Sequence, residues 1–222
     1  MDAEIVKIQT VFLGRAVKGI HMAIITPIPH IYNDVYQLLK CEDEASNGFL
    51  RNAYFGNSKT KGILICCSQG VAAQDAVVLF SDIQIFFIGY AGSLSKELTI
   101  GTPIEVKKVI CNLSENYMLQ TKSDFKKASI AYSPCFLGTT AMHAHYVARQ
   151  YEAQCVDMET VHCAKAAYDC KNSLSSLLLI TDMPNIVDVW YVDEQMKTRI
   201  DEGYHIILRQ LHKLINNDQR YE

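Results

Sequence analysis

Short, almost entirely apolar runs alternate along this chain with segments whose apolar residues recur at helical spacing. The strand-like runs are HMAIIT (21–26), KGILICC (61–67), IQIFFIG (83–89), TPIEVKKVI (102–110), ASIAYS (128–133) and SSLLLIT (175–181). The helix-like segments are IYNDVYQLLK (31–40), VAAQDAVVLF (71–80), TTAMHAHYVARQY (139–151) and residues 194–214. Uniformly apolar strands are typical of sheets that helices cover on both faces. The pattern predicts an α/β fold, a three-layer αβα sandwich around a mixed, mostly parallel sheet.

The length of the chain is compatible with one large domain. Its 222 residues are 49% hydrophobic, which is enough to bury a sizeable core. We assign residues 21–222 to this domain and residues 1–20 to an N-terminal extension. Residues 42–60 form the most polar stretch and are predicted to be a loop with an extended hairpin.

Charge and cysteine usage narrow the class of partner. The net charge is only −3 and the basic residues are scattered, whereas a nucleic-acid-binding face needs clustered positive charge. No apolar run reaches the ~20 residues of a membrane span, and the first ten residues do not resemble a signal peptide. We therefore expect a cytoplasmic protein with a small-molecule partner and neither nucleic acid nor membrane contact. The eight cysteines lie in apolar surroundings and are interpreted as reduced core thiols.

The residues that follow each strand indicate where a ligand would bind. In open α/β sheets, ligands lie outside the carboxyl ends of the strands. The segments at those ends are TPIPHIYND, SQG, GYAGSL, DMET and TDMP. Glycines allow backbone amides to approach a ligand closely, and amides at a helix start favour anions or polar oxygens. Each turn alone has an ordinary structural explanation.

The segment Asp157-Met158-Glu159 places two acids where a hydrophobic strand runs into a helix. Acids at a helix start are commonly caps or are favoured by the helix dipole. We expect Asp157 to cap the helix, and for Glu159 we weigh a ligand-binding role against the dipole explanation.

Four segments together resemble a known family. GILICCSQGVAAQDAV, IFFIGYAGSLSKELTIGTPIEV, CVDMETVHCAKAA and LLLITDMP match, in order and spacing, the purine nucleoside phosphorylase and methylthioadenosine/S-adenosylhomocysteine nucleosidase superfamily. The resemblance runs from about residue 21 to the C-terminal helix. It implies that Ala91 and Gly92 lie beside the base, that Met158 and Glu159 bind the ribose, and that Asp182 is the general acid.

The chemistry of N-glycosidic cleavage explains the residue types that the resemblance assigns. Positive charge develops on the sugar and negative charge on the departing base. An acid such as Asp182 would protonate the base, a contribution of roughly a hundred- to ten-thousandfold. Glu159 would hold the sugar hydroxyls and support the cationic transition state.

The chain also departs from the family pattern. Ile31 occupies the position at which the family's hydrolases carry a water-activating glutamate, and the candidate replacement bases are His30 and Asp34. Tyr90 stands where the family usually has a small residue, and it would fill space beside the ligand.

The positions of the arginines in this chain disfavour phosphorolysis. The family's phosphorylases use one arginine just before the glycine turn, where this chain has Phe87 and Ile88. Arg15 and Arg51 lie outside any recognisable phosphate motif.

We expect no metal and no cofactor. His143 and His145 are two residues apart on a predicted helix, roughly 200 degrees around its axis, so they cannot converge on one ion with His162 and Cys163. The adjacent pair Cys66-Cys67 faces opposite sides of a strand, which argues against a redox role.

Three functions remain open at this stage. The first is a nucleosidase that hydrolyses a purine nucleoside or 5'-thionucleoside. The second is a non-catalytic relative that binds a nucleoside. The third is a family enzyme redirected to other chemistry, with Tyr90 and His30 reshaping the site. Retention of Asp182 and Glu159 favours the enzyme. The resemblance also implies a homo-oligomer, at least a dimer.

Overall fold

The computed structural model describes residues 3–56, 61–112, 114–133, 141–184 and 193–218. The strands are β1 (Met22–Thr26), β2 (Glu42–Ala45), β3 (Arg51–Phe55), β4 (Gly62–Cys66), β5 (Gln84–Ser93), β6 (Pro103–Ile110), β7 (Asn116–Met118), β8 (Lys126–Tyr132), β9 (Cys155–Asp157) and β10 (Ser173–Asp182). The helices are α1 (Ala3–Leu13), α2 (Pro29–Leu38), α3 (Gln74–Val77), α4 (Ala141–Tyr151), α5 (Thr160–Asp169) and α6 (Glu194–Asp218), and a 3-10 turn at Gly70–Ala73 precedes α3.

All six predicted strands exist, with shifted ends. The largest difference is at β5, which continues through the residues predicted to form a glycine turn and ends at Ser93. The strand continues because Gly92 and Ser93 pair with Val156 and Cys155 of β9. The predicted helix 71–80 is also wrong in length, since only the 3-10 turn and the four residues of α3 are helical.

The ten strands of the described residues form one mixed sheet centred on β5. This strand pairs in parallel with β1 over Gln84–Phe87 and with β10 along most of its length, and it pairs antiparallel with β9 at its end. Further pairings of β10 with β6, β6 with β8 and β8 with β9 close a ring of five strands. The mixed α/β class is confirmed. Parallel pairing does not predominate, because five of the ten pairings in the described residues are antiparallel.

Two apolar cores lie on opposite faces of the sheet. Alternate residues of a strand face opposite sides, so Ile24 joins one core while Ala23 and Ile25 join the other. Helices α2 and α6 contribute to the core that contains Ile24. Helices α3 and α5 contribute to the core that contains Ile25. In the described part of the chain, no helix is both long and apolar enough to cross a membrane.

The first helix packs against the rest of the fold. Leu13 is fully buried and Val17 nearly so, and both belong to the core that includes α3 and α5. The buried Gln9 side chain donates to the carbonyl of Leu79 at 2.9 Å and accepts from the amide of Val17 at 3.0 Å. Residues 3–20, which the sequence analysis set apart as an extension, therefore contribute to the core.

We expect Leu13→Ala to lower the free energy of unfolding by about 2–5 kcal/mol, because it removes a fully buried side chain and leaves a cavity. The matched control is Lys7→Ala in the same helix, where the side chain is exposed and the change should stay within about 0.5 kcal/mol. Urea denaturation followed by circular dichroism measures both. If both substitutions changed the free energy of unfolding by the same small amount, α1 would contribute nothing to the core.

Candidate active site

A cavity of about 430 Å³ lies at the carboxyl ends of six strands. This volume is within the range of small-molecule sites. The lining residues belong to the ends of β1, β4, β5, β8, β9 and β10 or to the segments that follow them: Pro27, Ile28, Gln69, Tyr90, Ala91, Gly92, Ser133, Val156, Asp157, Met158, Glu159, Thr181 and Asp182. The topology therefore brings the predicted ligand-binding edge of the sheet together around one space.

Six residues predicted from the sequence to bind or act on a ligand line this cavity together: Tyr90, Ala91, Gly92, Met158, Glu159 and Asp182. His30 and Asp34 are not among its lining residues. Ile31 is buried in the apolar core between α2 and α6 and is equally absent from the lining. None of these three residues is therefore placed to act directly on a molecule inside the cavity.

Asp182 is held at the end of β10 against the backbone of β5. Asp182 pairs with Gly92 after a register shift that follows Ile180. A Cβ atom on Gly92 would lie 2.8 Å from Oδ2 of Asp182, so a side chain there would displace the carboxyl group. The hydroxyl of Thr181 donates to Oδ1 of Asp182 at 3.1 Å. Burial raises the pKa of Asp182 above its ordinary value, and this hydrogen bond opposes the rise.

Glu159 is the residue before α5, but its side chain does not cap that helix. Its Oε1 accepts a hydrogen bond from the backbone amide of Gly70 at 2.7 Å, which links the start of α5 to the 3-10 turn after β4. The side chain is buried. Burial raises the pKa of Glu159, and the hydrogen bonds from the backbone amides of Gly70 and Met158 oppose the rise.

Asp157 provides the cap that Glu159 does not. Its carboxylate oxygens accept from the amide of Thr160 at 3.1 and 3.2 Å, and the hydroxyl of Thr160 also donates to Oδ2. This agrees with the capping role expected from the sequence. Burial, and secondarily the nearby charge of Glu159, raises the pKa of Asp157 to about 7. The Asp-Met-Glu segment thus places two buried carboxyl groups with different partners at one cavity.

Tyr90 connects the cavity to α2. Nε2 of His30 lies 2.6 Å from the hydroxyl of Tyr90. The hydroxyl of Tyr204 in α6 donates to Oδ2 of Asp34 at 2.7 Å, and its ring meets that of His30 edge-on at 5.9 Å. Burial, followed by the charges of Asp201 and Asp34, raises the pKa of Tyr90 to about 12. Both candidate replacement bases therefore belong to one polar cluster beside the cavity.

Sequence analysis did not single out Gln69, Ser133 or Thr181, which also line the cavity. Gln69 lies in the SQG turn, Ser133 follows β8, and Thr181 precedes Asp182. Their position at the carboxyl ends of strands was the available signal. Their polar side chains offer hydrogen-bonding groups to a ligand.

The cavity lining in the described residues includes no arginine or lysine. Arg15 pairs with Asp43 and Arg51 pairs with Glu44. Among the side chains described, no group of three or more histidine, cysteine, aspartate or glutamate residues could hold a metal ion. The side chains of His143 and His145 fall outside the described residues.

The cysteines that the structure describes are free thiols: Cys41, Cys66, Cys67, Cys111, Cys155, Cys163 and Cys170. Cys66 and Cys67 pack against opposite cores, as expected for neighbours along an extended chain. Burial raises the pKa of Cys67, which disfavours the reactive thiolate.

We expect Asp157→Asn to make stability less dependent on pH. The folded state raises the Asp157 pKa from about 3.9 to about 7, so folding favours the protonated acid. The wild type therefore loses this contribution as pH rises from 4 to 8, whereas the variant has no proton to lose. Thermal denaturation at pH 4.5 and pH 8 should show the variant gaining stability relative to the wild type at the higher pH. A pH-independent difference would contradict the raised pKa.

The structure resembles solved structures of other proteins, although sequence comparisons find no relative. No protein-family model matches the chain. No curated protein matches it in sequence either. The structure superposes on futalosine hydrolase of Helicobacter pylori strain 26695 with a TM-score of 0.71 and 14% identity, covering 88% of this chain and 97% of that one.

Two further solved structures give similar values. For the 5'-methylthioadenosine/S-adenosylhomocysteine nucleosidase of Campylobacter jejuni, the TM-score is 0.71 and the identity 14%, covering 88% of this chain and 100% of that one. A third structure is an Asp→Asn mutant of the Helicobacter pylori nucleosidase, solved with 5'-methylthioadenosine in its active site. Its TM-score is 0.68 and its identity 15%, covering 90% of this chain and 99% of that one. The chain therefore has the fold of these nucleosidases, as the sequence resemblance led us to expect.

Proposed function

We propose that the protein is a nucleosidase that hydrolyses the N-glycosidic bond of a purine nucleoside or a 5'-thionucleoside. The observation that carries the proposal is the convergence of Asp182 and Glu159, both largely buried and both with raised pKa values, on one cavity. Perturbed carboxyl groups in a cleft are typical of functional sites. The fold shared with known nucleosidases supports the same chemistry.

Asp182 is proposed as the general acid. A departing purine accumulates negative charge, which a proton from a nearby acid neutralises. The raised pKa of Asp182 increases the protonated fraction near neutral pH, which this role requires. Its close packing against Gly92 would fix the acid relative to a base bound beside Ala91 and Gly92.

Glu159 is proposed to bind the ribose hydroxyls, with Met158 beneath the sugar. The hydrogen bond from Gly70 orients the carboxylate before any ligand arrives. A preorganised negative group beside the sugar would stabilise the positive charge that develops in the transition state. Burial strengthens this electrostatic interaction, because the surrounding dielectric is low.

Hydrolysis is favoured over phosphorolysis by the charge of the cavity. A phosphate co-substrate requires cationic partners, and the described lining has none. Arg15 and Arg51 are engaged with acids elsewhere. Water is therefore the proposed nucleophile.

A non-catalytic nucleoside-binding protein is the second candidate. The observation that favours it is the burial of Ile31 in an apolar core, which leaves the family's water-activating position without a proton acceptor. The hydrogen-bonded pair of Tyr90 and His30 in turn favours a third candidate, a family enzyme with altered chemistry on a nucleoside-like substrate. A nucleosidase releases free base from its substrate, whereas a binding protein does not, so an assay of base release distinguishes hydrolysis from these alternatives.

Several broader inferences from the sequence belong to the same proposal. We propose a three-layer αβα architecture, supported by the two cores on opposite faces of the sheet. We also propose that the protein is cytoplasmic and has no nucleic-acid partner. We propose that it requires neither metal nor cofactor. We propose residue 21 as the start of the family-like sequence, and Leu13 and Val17 of the preceding segment pack into the core of the same domain.

We expect the wild type to release free base from at least one member of a panel of purine nucleosides and 5'-thionucleosides. Asp182→Asn should lower turnover roughly a hundredfold or more while preserving binding, because the amide keeps the size but not the transferable proton. Glu159→Gln should weaken both binding and turnover. Chromatographic base release and ligand-induced thermal shift are the two measurements.

The matched control is Asp169→Asn, which changes an exposed aspartate paired with Lys165 on the surface of α5. It should leave both measurements unchanged. Thermal shift without base release would support the binding protein, and unchanged turnover in Asp182→Asn would contradict its assignment as the acid.

We expect a homo-oligomer. Ile8, Val11 and Phe49 expose large apolar side chains, with Phe49 77% exposed and its ring 5.6 Å from that of Phe12. Such surface is typical of a subunit contact. Light scattering at micromolar concentration should give at least twice the 25.0 kDa of one chain. A particle of single-chain mass would reject the assembly.

A further inference from the structure

The carboxyl groups among the described lining residues all have other roles. Asp182 must be protonated to serve as the acid, and Glu159 accepts from Gly70. Asp157 accepts from the amide and hydroxyl of Thr160. Hydrolysis nevertheless requires a group that accepts a proton from the attacking water.

We propose that Tyr90 and His30 form a relay that takes this proton, an inference that rests on the proposed nucleosidase function. Tyr90 lines the cavity, and its hydroxyl lies 2.6 Å from Nε2 of His30. A hydroxyl paired with an imidazole can receive one proton while passing its own to the ring. The relay replaces the carboxylate that is absent at Ile31.

Strand geometry places Tyr90 on the same side as the acid. Tyr90 and Gly92 are two residues apart in β5, so their Cβ directions share one face of the sheet, about 7 Å apart. The Cβ direction of Gly92 meets the carboxyl group of Asp182 at 2.8 Å. Tyr90 and Asp182 therefore extend from the same face of the sheet at the same end of the cavity, where a base and an acid can flank one glycosidic bond.

The surroundings of His30 suit the end of a relay. The imidazole lies at the exposed start of α2, so it can exchange its proton with solvent after each turnover. The ring of Tyr204 packs edge-on against it, and the Tyr204 hydroxyl is fixed by Asp34 one helical turn further along α2. These contacts hold the ring in position, and Tyr204 and Asp34 act as positioning residues.

The step balances without another reagent. The water oxygen forms a bond to the anomeric carbon while the bond from that carbon to the base nitrogen breaks. One water proton passes to the Tyr90 oxygen as the Tyr90 proton passes to Nε2 of His30. The proton of Asp182 passes to the base. Solvent then restores neutral His30 and protonated Asp182.

Conservative variants separate proton transfer from positioning. His30→Gln keeps an oxygen that can accept from the Tyr90 hydroxyl but cannot take up a proton. We expect His30→Gln, His30→Ala and Tyr90→Phe each to lower kcat roughly a hundredfold, with ligand-induced thermal shifts retained. Exogenous imidazole should restore much of the kcat of His30→Ala, since the site is open to solvent, but none of that of Tyr90→Phe.

The control is His205→Ala, which removes an exposed imidazole whose ring centre lies 6.0 Å from that of Tyr204. Its kcat should equal that of the wild type with or without imidazole. Normal kcat in His30→Gln or Tyr90→Phe, or absence of imidazole rescue, would overturn the relay. So would loss of turnover in Asp157→Asn with normal turnover in Tyr90→Phe, which would make Asp157 the base.

The same assays distinguish this inference from the function on which it rests. A wild type that cleaves a nucleoside while the His30 and Tyr90 variants stay fully active overturns the relay alone. A wild type that releases no base from any member of the panel overturns both.

Discussion

The parallel pairing of β5 with β10 is the interaction on which the candidate site depends. It runs from Gln84 to Gly92 on one strand and from Ser173 to Asp182 on the other. The register shift after Ile180 brings Asp182 opposite Gly92, where the missing side chain leaves room for the carboxyl group. A one-residue slip would turn the acid to the other face of the sheet. The same strand end pairs with β9, so one length of backbone fixes both the acid and the Asp-Met-Glu segment.

The Asp-Met-Glu segment divides two tasks between its two acids. Asp157 stabilises the start of α5 through Thr160, and this frees Glu159 from capping. Glu159 instead reaches Gly70 at the start of the 3-10 turn. Burial raises the pKa of both acids, and the charge of Glu159 adds to the rise at Asp157, a cost that a purely structural turn would have no reason to incur. This is the strongest physical indication that the cavity binds a polar ligand.

The sequence revealed those features that depend on local pattern. The apolar runs located the strands, and the carboxyl-end rule located most of the lining, including Glu159 and Asp182. Long-range strand pairing could not be read from the sequence. GYAGSL was predicted to be a turn, although pairing with β9 and β10 holds its first five residues in β5. The partners of Glu159 and Tyr90 lie 89 and 60 residues away in the chain, and only the folded structure shows them. The packing of α1 was missed for the same reason.

The most direct test of the central claim is a crystal structure with a C-nucleoside, whose glycosidic bond is carbon–carbon and resists hydrolysis. The account predicts that the ligand occupies the 430 Å³ cavity with its base within hydrogen-bonding distance of Asp182 and its sugar hydroxyls at Glu159. A ligand bound in the reverse orientation, bound elsewhere or not bound at all would contradict it.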